Sequence, residues 1–279
     1  MKIQSVVALI LLLIAAAVII SQFATTGAEY SRYNTNWNGT SAFFGMAADK
    51  DFVYSSDDLA SKSGPILLIA PGTDFTGLAA YLGQGNTIII ADQSGNANIF
   101  LEDIGSSIRV HNESLRSTSM EYKDMGIFRG TVSTDILGTG VTNLMFNYPG
   151  YVTGGNSLVK TSYFSWIDLD GNNIADSNES LKVYSLIASE NISNGRVIVV
   201  ADPSVFINSM LVQTHTENMV VINALLERNL TIDQANSATT EGGGLTPLLQ
   251  TMHRYPALGT AILAILLILA IIGIRRIRQ

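Results

Sequence analysis

The chain contains no cysteine, which excludes disulfides, thiolate nucleophiles and cysteine metal sites. Charge is scarce: Asp, Glu, Lys and Arg make up 14% of the 279 residues, where about 25% is usual for a soluble domain. The balance is acidic, 23 acidic against 16 basic residues, for a net charge of −7. Such a chain offers phosphate no basic face, so nucleic acid is not expected as a partner. Histidine occurs at three distant positions, His111, His215 and His253. Three catalytic signatures are absent: G-x-S-x-G, the phosphate-binding G-x-x-x-x-G-K-[ST] and H-E-x-x-H. A Ser–His–Asp set can be drawn from Ser204, His215 and Asp202, but any chain of this size permits one.

The low charge is explained by the two ends. Ile3–Ala28 carries no charged residue, and Val6–Ile20 is continuously apolar. The segment reads either as an uncleaved anchor, being longer than the roughly 20 residues that span hydrocarbon, or as a signal peptide cut beside the small residues Thr26, Gly27 and Ala28. Pro256–Ile274 is apolar and is followed at once by Arg275, Arg276 and Arg278. Basic residues tight against a span stay in the cytoplasm. The expected organisation is an N-terminal anchor or signal peptide over 1–28, an extracytoplasmic α/β domain over 29–232, a flexible Gly/Ser/Thr-rich linker over 233–253, a transmembrane helix over 254–274 and a basic cytoplasmic tail over 275–279. Five Asn-x-Ser/Thr acceptors, Asn38, Asn112, Asn178, Asn191 and Asn229, agree with export, although an Asn- and Ser-rich chain produces several by chance.

Within the central region, Ile66–Ala70 and Thr87–Ala91 are short apolar runs bounded by turn residues, the pattern of strands buried on both faces of a parallel sheet. Helical segments are expected after each, over Thr76–Leu82 and Asn98–Ile104. Two more strands are expected over Lys182–Ala188 and Arg196–Ala201, with Asn194-Gly195 as a hairpin signal. A further helix over Thr216–Arg228 carries Met219, Ile222, Leu225 and Leu226 on one side. The stretch Ser106–Thr161, rich in Gly, Ser, Thr and Asn, reads as irregular structure with a few strands. The expected fold class is α/β, an open and mainly parallel sheet with right-handed crossovers, flanked by N- and C-terminal transmembrane helices.

Two constellations could carry chemistry. In DLDGNNIADSNE, oxygen side chains fall at positions 1, 3, 5, 9 and 12: Asp168, Asp170, Asn172, Asp176 and Glu179. The backbone carbonyl of Ile174 stands at position 7. This is the spacing of a Ca²⁺ loop, with one departure: Asn173 occupies the turn position that normally holds glycine. Ca²⁺ is the candidate ligand, and a solvated acidic turn is the plainer alternative. The second constellation is a candidate crevice at the C-terminal strand ends, where ligands bind in open parallel sheets. It comprises Asp74, then Asp92, Ser94 and Asn96, then Asp202, Ser204 and Asn208. The plainer alternative is that these residues cap the following helices.

The blocks PILLIAPGTDFT, TIIIADQSGNAN, YFSWIDLDGNNIAD and GRVIVVADPSVFINSML, followed by ENMVVINALL, together resemble the DUF4350 family in its archaeal, membrane-anchored form. The resemblance covers Asn36–Leu226. It implies a fold similar to flavodoxin-like and class I glutamine amidotransferase-like domains, without their activity, since the amidotransferase nucleophile is a cysteine. It also implies, by association with ATPases and other membrane proteins, an accessory role. The expected function is a non-enzymatic extracytoplasmic domain that binds or scaffolds, with the membrane and other membrane or envelope proteins as partners, in an envelope or transport-related assembly. The alternative is a hydrolase of envelope glycans or peptides using Asp92 and Asp202 as acid and base.

Overall fold

A computed structural model of the chain describes residues 26–133, 140–212 and 217–240, with isolated positions 9, 11, 12, 16, 260, 261, 264, 265 and 268 in the terminal segments. Ala28–Glu241 forms one compact unit, and the terminal segments fall outside it.

Three apolar runs make the centre of the sheet: β2 (Pro65–Ile69), β3 (Thr87–Ala91) and β13 (Gly195–Val200). All three are parallel and in register, Ile66 with Ile88 and Val197 with Ile88. Successive side chains of a strand point to opposite faces, so every second residue joins a different core. Ile66, Leu68, Ile88, Ile90, Val197 and Val199 pack on one face against helices α2 (Leu78–Gly83) and α3 (Ala97–Asp103). Leu67, Ile69, Ile89, Ala91, Ile198 and Val200 pack on the other, against Phe43 and Phe44 of α1 (Ser41–Met46) and Ile222 and Leu226 of α5 (Asn218–Leu226). A run without polar positions is what two buried faces require.

The parallel part is completed at one edge by β1 (Asp51–Val53) and β14 (Thr231–Asp233). β14 comes from the end of the folded unit, yet lies between β1 and β2, parallel to both. The stretch Asp233–Thr240, which composition reads as the start of a tether, is therefore part of the fold, with Gln234, Ser237 and Thr239 buried. The opening segment is also folded, with Ser31 and Asn34 buried. Arg32 joins the two ends: its N–H donates to the Thr239 carbonyl (2.8 Å), and its guanidinium lies over the rings of Phe44 and Phe52.

Beyond β13 the sheet changes character. β13 pairs antiparallel with β12 (Ser185–Ile192) through a two-residue turn at Ser193-Asn194, one residue earlier than the sequence signal, with Ser193 at φ 53°. From β12 onward every pairing is antiparallel. The added strands come from the Gly- and Ser-rich insertion: β4 (Arg109–His111), β6 (Met120–Glu121), β7 (Asp124–Val132), β8 (Asn143–Asn147), β9 (Tyr151–Thr153) and β10 (Asn156–Lys160). β5 (Leu115–Ser117) and β11 (Ser165–Ile167) form a separate pair.

Among the described residues the sheet has twelve strands, of which five are the parallel set, so the mainly parallel flavodoxin-like sheet expected from the sequence is corrected to a mixed sheet with few, short helices. Most strands of the insertion hid because they are only two to five residues long, too short to show a pattern. β7 alternates buried and less buried positions instead of forming an apolar run. The expected flanking transmembrane helices are corrected as well. Val6–Ile20 and Pro256–Ile274 lie largely outside the described residues, and among the described residues no helix is long and apolar enough to cross a membrane.

The face under α5 is incompletely filled. A cavity of about 80 Å³ lies among Ile89, Ile198 and Val200 of the sheet and Val221, Ala224 and Leu225 of the helix. A sealed void of this size would cost on the order of 2 kcal/mol at about 24 cal/mol per Å³; this one is partly open, and its cost is smaller. The three carbons added by Ala224→Leu would enter it. This variant is expected to gain about 1 kcal/mol in urea unfolding, with an unchanged dependence on denaturant.

Candidate functional site

The ends of the parallel strands carry three buried aspartates, and each is used by the turn it opens. Asp92 follows β3. Its Oδ1 accepts the N–H and O–H of Ser94, both at 2.7 Å, and its Oδ2 accepts the Ala97 N–H at 2.8 Å, capping α3. Asp202 follows β13. Its Oδ1 accepts the Ser204 N–H and its Oδ2 the Asn147 N–H, each at 2.7 Å. Asp233 ends β14, and its Oδ2 accepts the Asn236 N–H at 2.7 Å and the Ser237 O–H at 3.1 Å. Its Oδ1 is buried without a partner.

Burial pushes the Asp202 carboxyl up to about 6, against the lowering effect of the Asn147 and Ser204 hydrogen bonds. Burial likewise pushes Asp233 up to about 6. Asp74, by contrast, is exposed, and the Thr76 hydroxyl and N–H on its Oδ1 hold it below the usual carboxylate range.

Over these strand ends lies an open cleft of about 630 Å³. Of the seven residues expected to line a crevice, Asp92, Ser94 and Asn96 do so. Asp74 stands in an exposed turn outside it. Asp202 and Ser204 lie behind the wall, the Ser204 hydroxyl 3.5 Å from the Tyr30 hydroxyl. Asn208, which opens the short helix α4 (Asn208–Leu211), serves the fold instead. Its Oδ1 accepts the Ala42 N–H (2.8 Å) and its Nδ2 donates to the Asn36 carbonyl (2.7 Å). Sequence reasoning missed Glu29, Tyr30, Gln93 and Asn112, the other polar side chains of the lining. Tyr30 and Glu29 belong to the segment read as a linker. Only Gln93, inside the block after β3, carried a readable signal.

Two non-glycine residues of this lining hold the left-handed conformation, Tyr30 at φ 58° and Ala70 at φ 46°. Such strain, of order 1–3 kcal/mol per residue, persists only where the surroundings enforce it. Here Ala70 is fixed by its N–H on the Ala91 carbonyl and by the Ala238 N–H on its own carbonyl.

The cleft does not present two working carboxylates. Asp92 is committed to three donors and Asp202 is walled off. His215, the histidine of the drawn triad, lies outside the described residues.

A family model for a domain of unknown function, DUF4350, matches residues 32–225. The chain belongs to the DUF4350 family. Among curated proteins no sequence matches it. Two solved structures resemble it weakly. One is a β-galactosidase from Bacillus circulans sp. alkalophilus, at 12% identity and TM-score 0.35, covering 56% of this chain. This chain spans 22% of that enzyme's length. The other is a cytoplasmic protein from Salmonella typhimurium LT2, at 11% identity and TM-score 0.31, covering 64% of this chain and 72% of that one. Neither likeness bears on fold or function.

The DLDGNNIADSNE loop of this DUF4350 member leaves β11, a strand, where an EF-hand would supply a helix. Asn173 takes φ 61° at the position usually held by glycine. The Gly171 N–H (3.0 Å) and Asn173 N–H (3.3 Å) donate to the Asp168 carboxylate. Carboxylate oxygens of Asp168, Asp170 and Glu179 lie within 4.8 Å of one another, compatible with Ca–O distances of about 2.3–2.6 Å. Asn172 and Asp176 instead bond to each other at 2.9 Å. Arg116 already sits beneath the loop, its Nε 3.3 Å from Asp168 Oδ2 and 2.7 Å from Asn173 Oδ1. The donor set fits Ca²⁺ at three corners, with Arg116 competing for the first.

Calcium titrated calorimetrically is expected to give a saturable heat that Asp170→Asn weakens at least tenfold. No heat at millimolar calcium would leave a turn clasped by Arg116.

A second expectation concerns pH. Asp202 and Asp233 bind protons more tightly folded than unfolded, where the carboxyl lies near 3.8. Their contribution to stability is full below that value and is lost as pH rises through about 6. Between pH 7 and pH 5 the unfolding free energy is expected to rise. Asp233→Asn, which removes one of the two groups, is expected to flatten that slope in denaturant titrations at each pH.

Proposed function

We propose that this protein is a non-enzymatic binding domain acting outside the cytoplasm, as an accessory component of an envelope or transport-related assembly, and that it holds a small polar ligand in the cleft over the strand ends. The observation that carries the reading is the cleft itself. It stands where open parallel strands present their loops, at a volume typical of ligand sites, and with strained backbone at Tyr30 and Ala70. The commitment of the Asp92 carboxylate to capping favours binding over hydrolysis, because a glycosidase-type or peptidase-type reaction needs two carboxylates facing one pocket. Three glycosylation acceptors away from the cleft, Asn178, Asn191 and Asn229, are exposed, which supports placement outside the cytoplasm.

A scaffolding role is favoured by a second observation. Tyr163, Phe164, Leu169, Ile174, Leu181 and Val183 are all exposed within one short stretch. The bridge between Ser165 and Lys182 brings Phe164 beside Val183. Exposed apolar side chains brought together as Phe164 and Val183 are favour contact with another protein.

The cleft reading is tested by screening small polar metabolites for thermal stabilisation of the protein and of Asn112→Trp, in which an indole occupies the cleft wall. Stabilisation of the parent chain that disappears in Asn112→Trp is expected. Ligands that stabilise both equally, or none that stabilise either, would overturn it.

A further inference from the structure

The chemistry of the cleft wall narrows the ligand. No Lys, Arg or His lines it among the described residues, so an anionic group would enter without a counter-charge, beside the Glu29 and Asp92 carboxylates. The carboxylates are equally unhelpful to a cation. Asp92 is committed to Ser94 and Ala97, and Glu29 is exposed at the rim, where an ion pair in water contributes about 0–1 kcal/mol.

What remains is neutral and two-sided in its hydrogen bonding. Asn112 is exposed and makes no side-chain hydrogen bond in the described structure. Gln93 donates one N–H of Nε2 to the Tyr148 carbonyl, and Asn96 one N–H of Nδ2 to the Pro71 carbonyl at 3.0 Å, so each keeps its second N–H and its amide oxygen for a ligand. An amide offers donors and an acceptor side by side. It therefore matches a hydroxyl, which both donates and accepts, better than it matches a carboxylate or an ammonium group, each of which does only one. Between these polar groups stand the apolar rings of Pro71 and Pro203 and the methyls of Ala28, Ala70 and Ala238. A sugar ring has the same division, with hydroxyls at its edge and C–H groups on its face.

We infer that the ligand of this cleft is a neutral polyhydroxylated compound, a mono- or disaccharide or a polyol. The inference rests on the cleft being the binding site.

It is tested by saturation-transfer NMR and calorimetry on the full chain. Glucose, galactose, maltose and glycerol serve as neutral probes, glucose 6-phosphate and glucuronate as anions, and glucosamine as a cation. At least one neutral probe is expected to bind, with its charged counterparts at least tenfold weaker. Asn112→Ala is expected to weaken that binding at least tenfold while leaving the unfolding midpoint unchanged, because its side chain supports nothing in the fold. Preferential binding of a charged probe, lost in the same variant, would overturn the neutral-ligand inference and leave the cleft as a binding site. Neutral-sugar binding that survives Asn112→Ala and Asn96→Ala would place the sugar elsewhere and overturn the inference. Failure of every probe would overturn it too, while the broader metabolite screen decides the cleft reading separately.

Discussion

The structure at the cleft end of this domain depends on three carboxylates buried at the ends of parallel strands. Asp92, Asp202 and Asp233 stand after β3, β13 and β14, and each accepts main-chain N–H groups from the turn that follows. A carboxylate out of water is unfavourable unless such donors satisfy it. Once satisfied, it fixes the turn, because any rearrangement would strand the charge. The cleft walls are therefore held by side-chain to backbone hydrogen bonds at their roots. The strained conformation of Ala70 is tolerated because its N–H and C=O are both bonded to neighbouring segments.

That arrangement also decides what these aspartates are not. Residues that look like an acid–base pair in sequence are occupied by the backbone, and the groups free to meet a ligand are the neighbouring amides. Capping carboxylates lie below, and the neutral amides of Gln93, Asn96 and Asn112 lie above them at the cleft wall. The three strand-end loops reach the same cleft from three distant parts of the chain. The opening segment then closes one wall with Tyr30, itself held where Arg32 ties the N-terminal segment to Thr239.

The mixed sheet has a similar logic. The hairpin between β12 and β13 reverses strand direction, and after it the insertion adds antiparallel strands with short connections. Further clasps fasten α5 to this added layer: Asn218 bonds both backbone groups of Met145 at 2.8 Å, and Glu217 accepts the Asn143 N–H at 2.8 Å. The helix carries Ile222 and Leu226 toward the sheet, but also a buried asparagine. The expectation of a clean apolar stripe left out that polar anchor.

The sequence by itself determined the central strands, because runs such as Ile66–Ile69 and Ile88–Ala91 are stable only when both faces are covered, a requirement local enough to read. It also determined the family, the absence of thiol chemistry and the left-handed turn at Asn173, since the loop spacing demands it and asparagine allows it. Tertiary structure alone decided that β14 enters between β1 and β2, that the insertion completes a mixed sheet, and that Asn208 serves the N-terminal segment while Asn112 faces the cleft. Those outcomes depend on pairing between segments far apart in the chain. Hydrogen-bond partners, unlike hydrophobic periodicity, leave no repeating pattern along the residues that supply them.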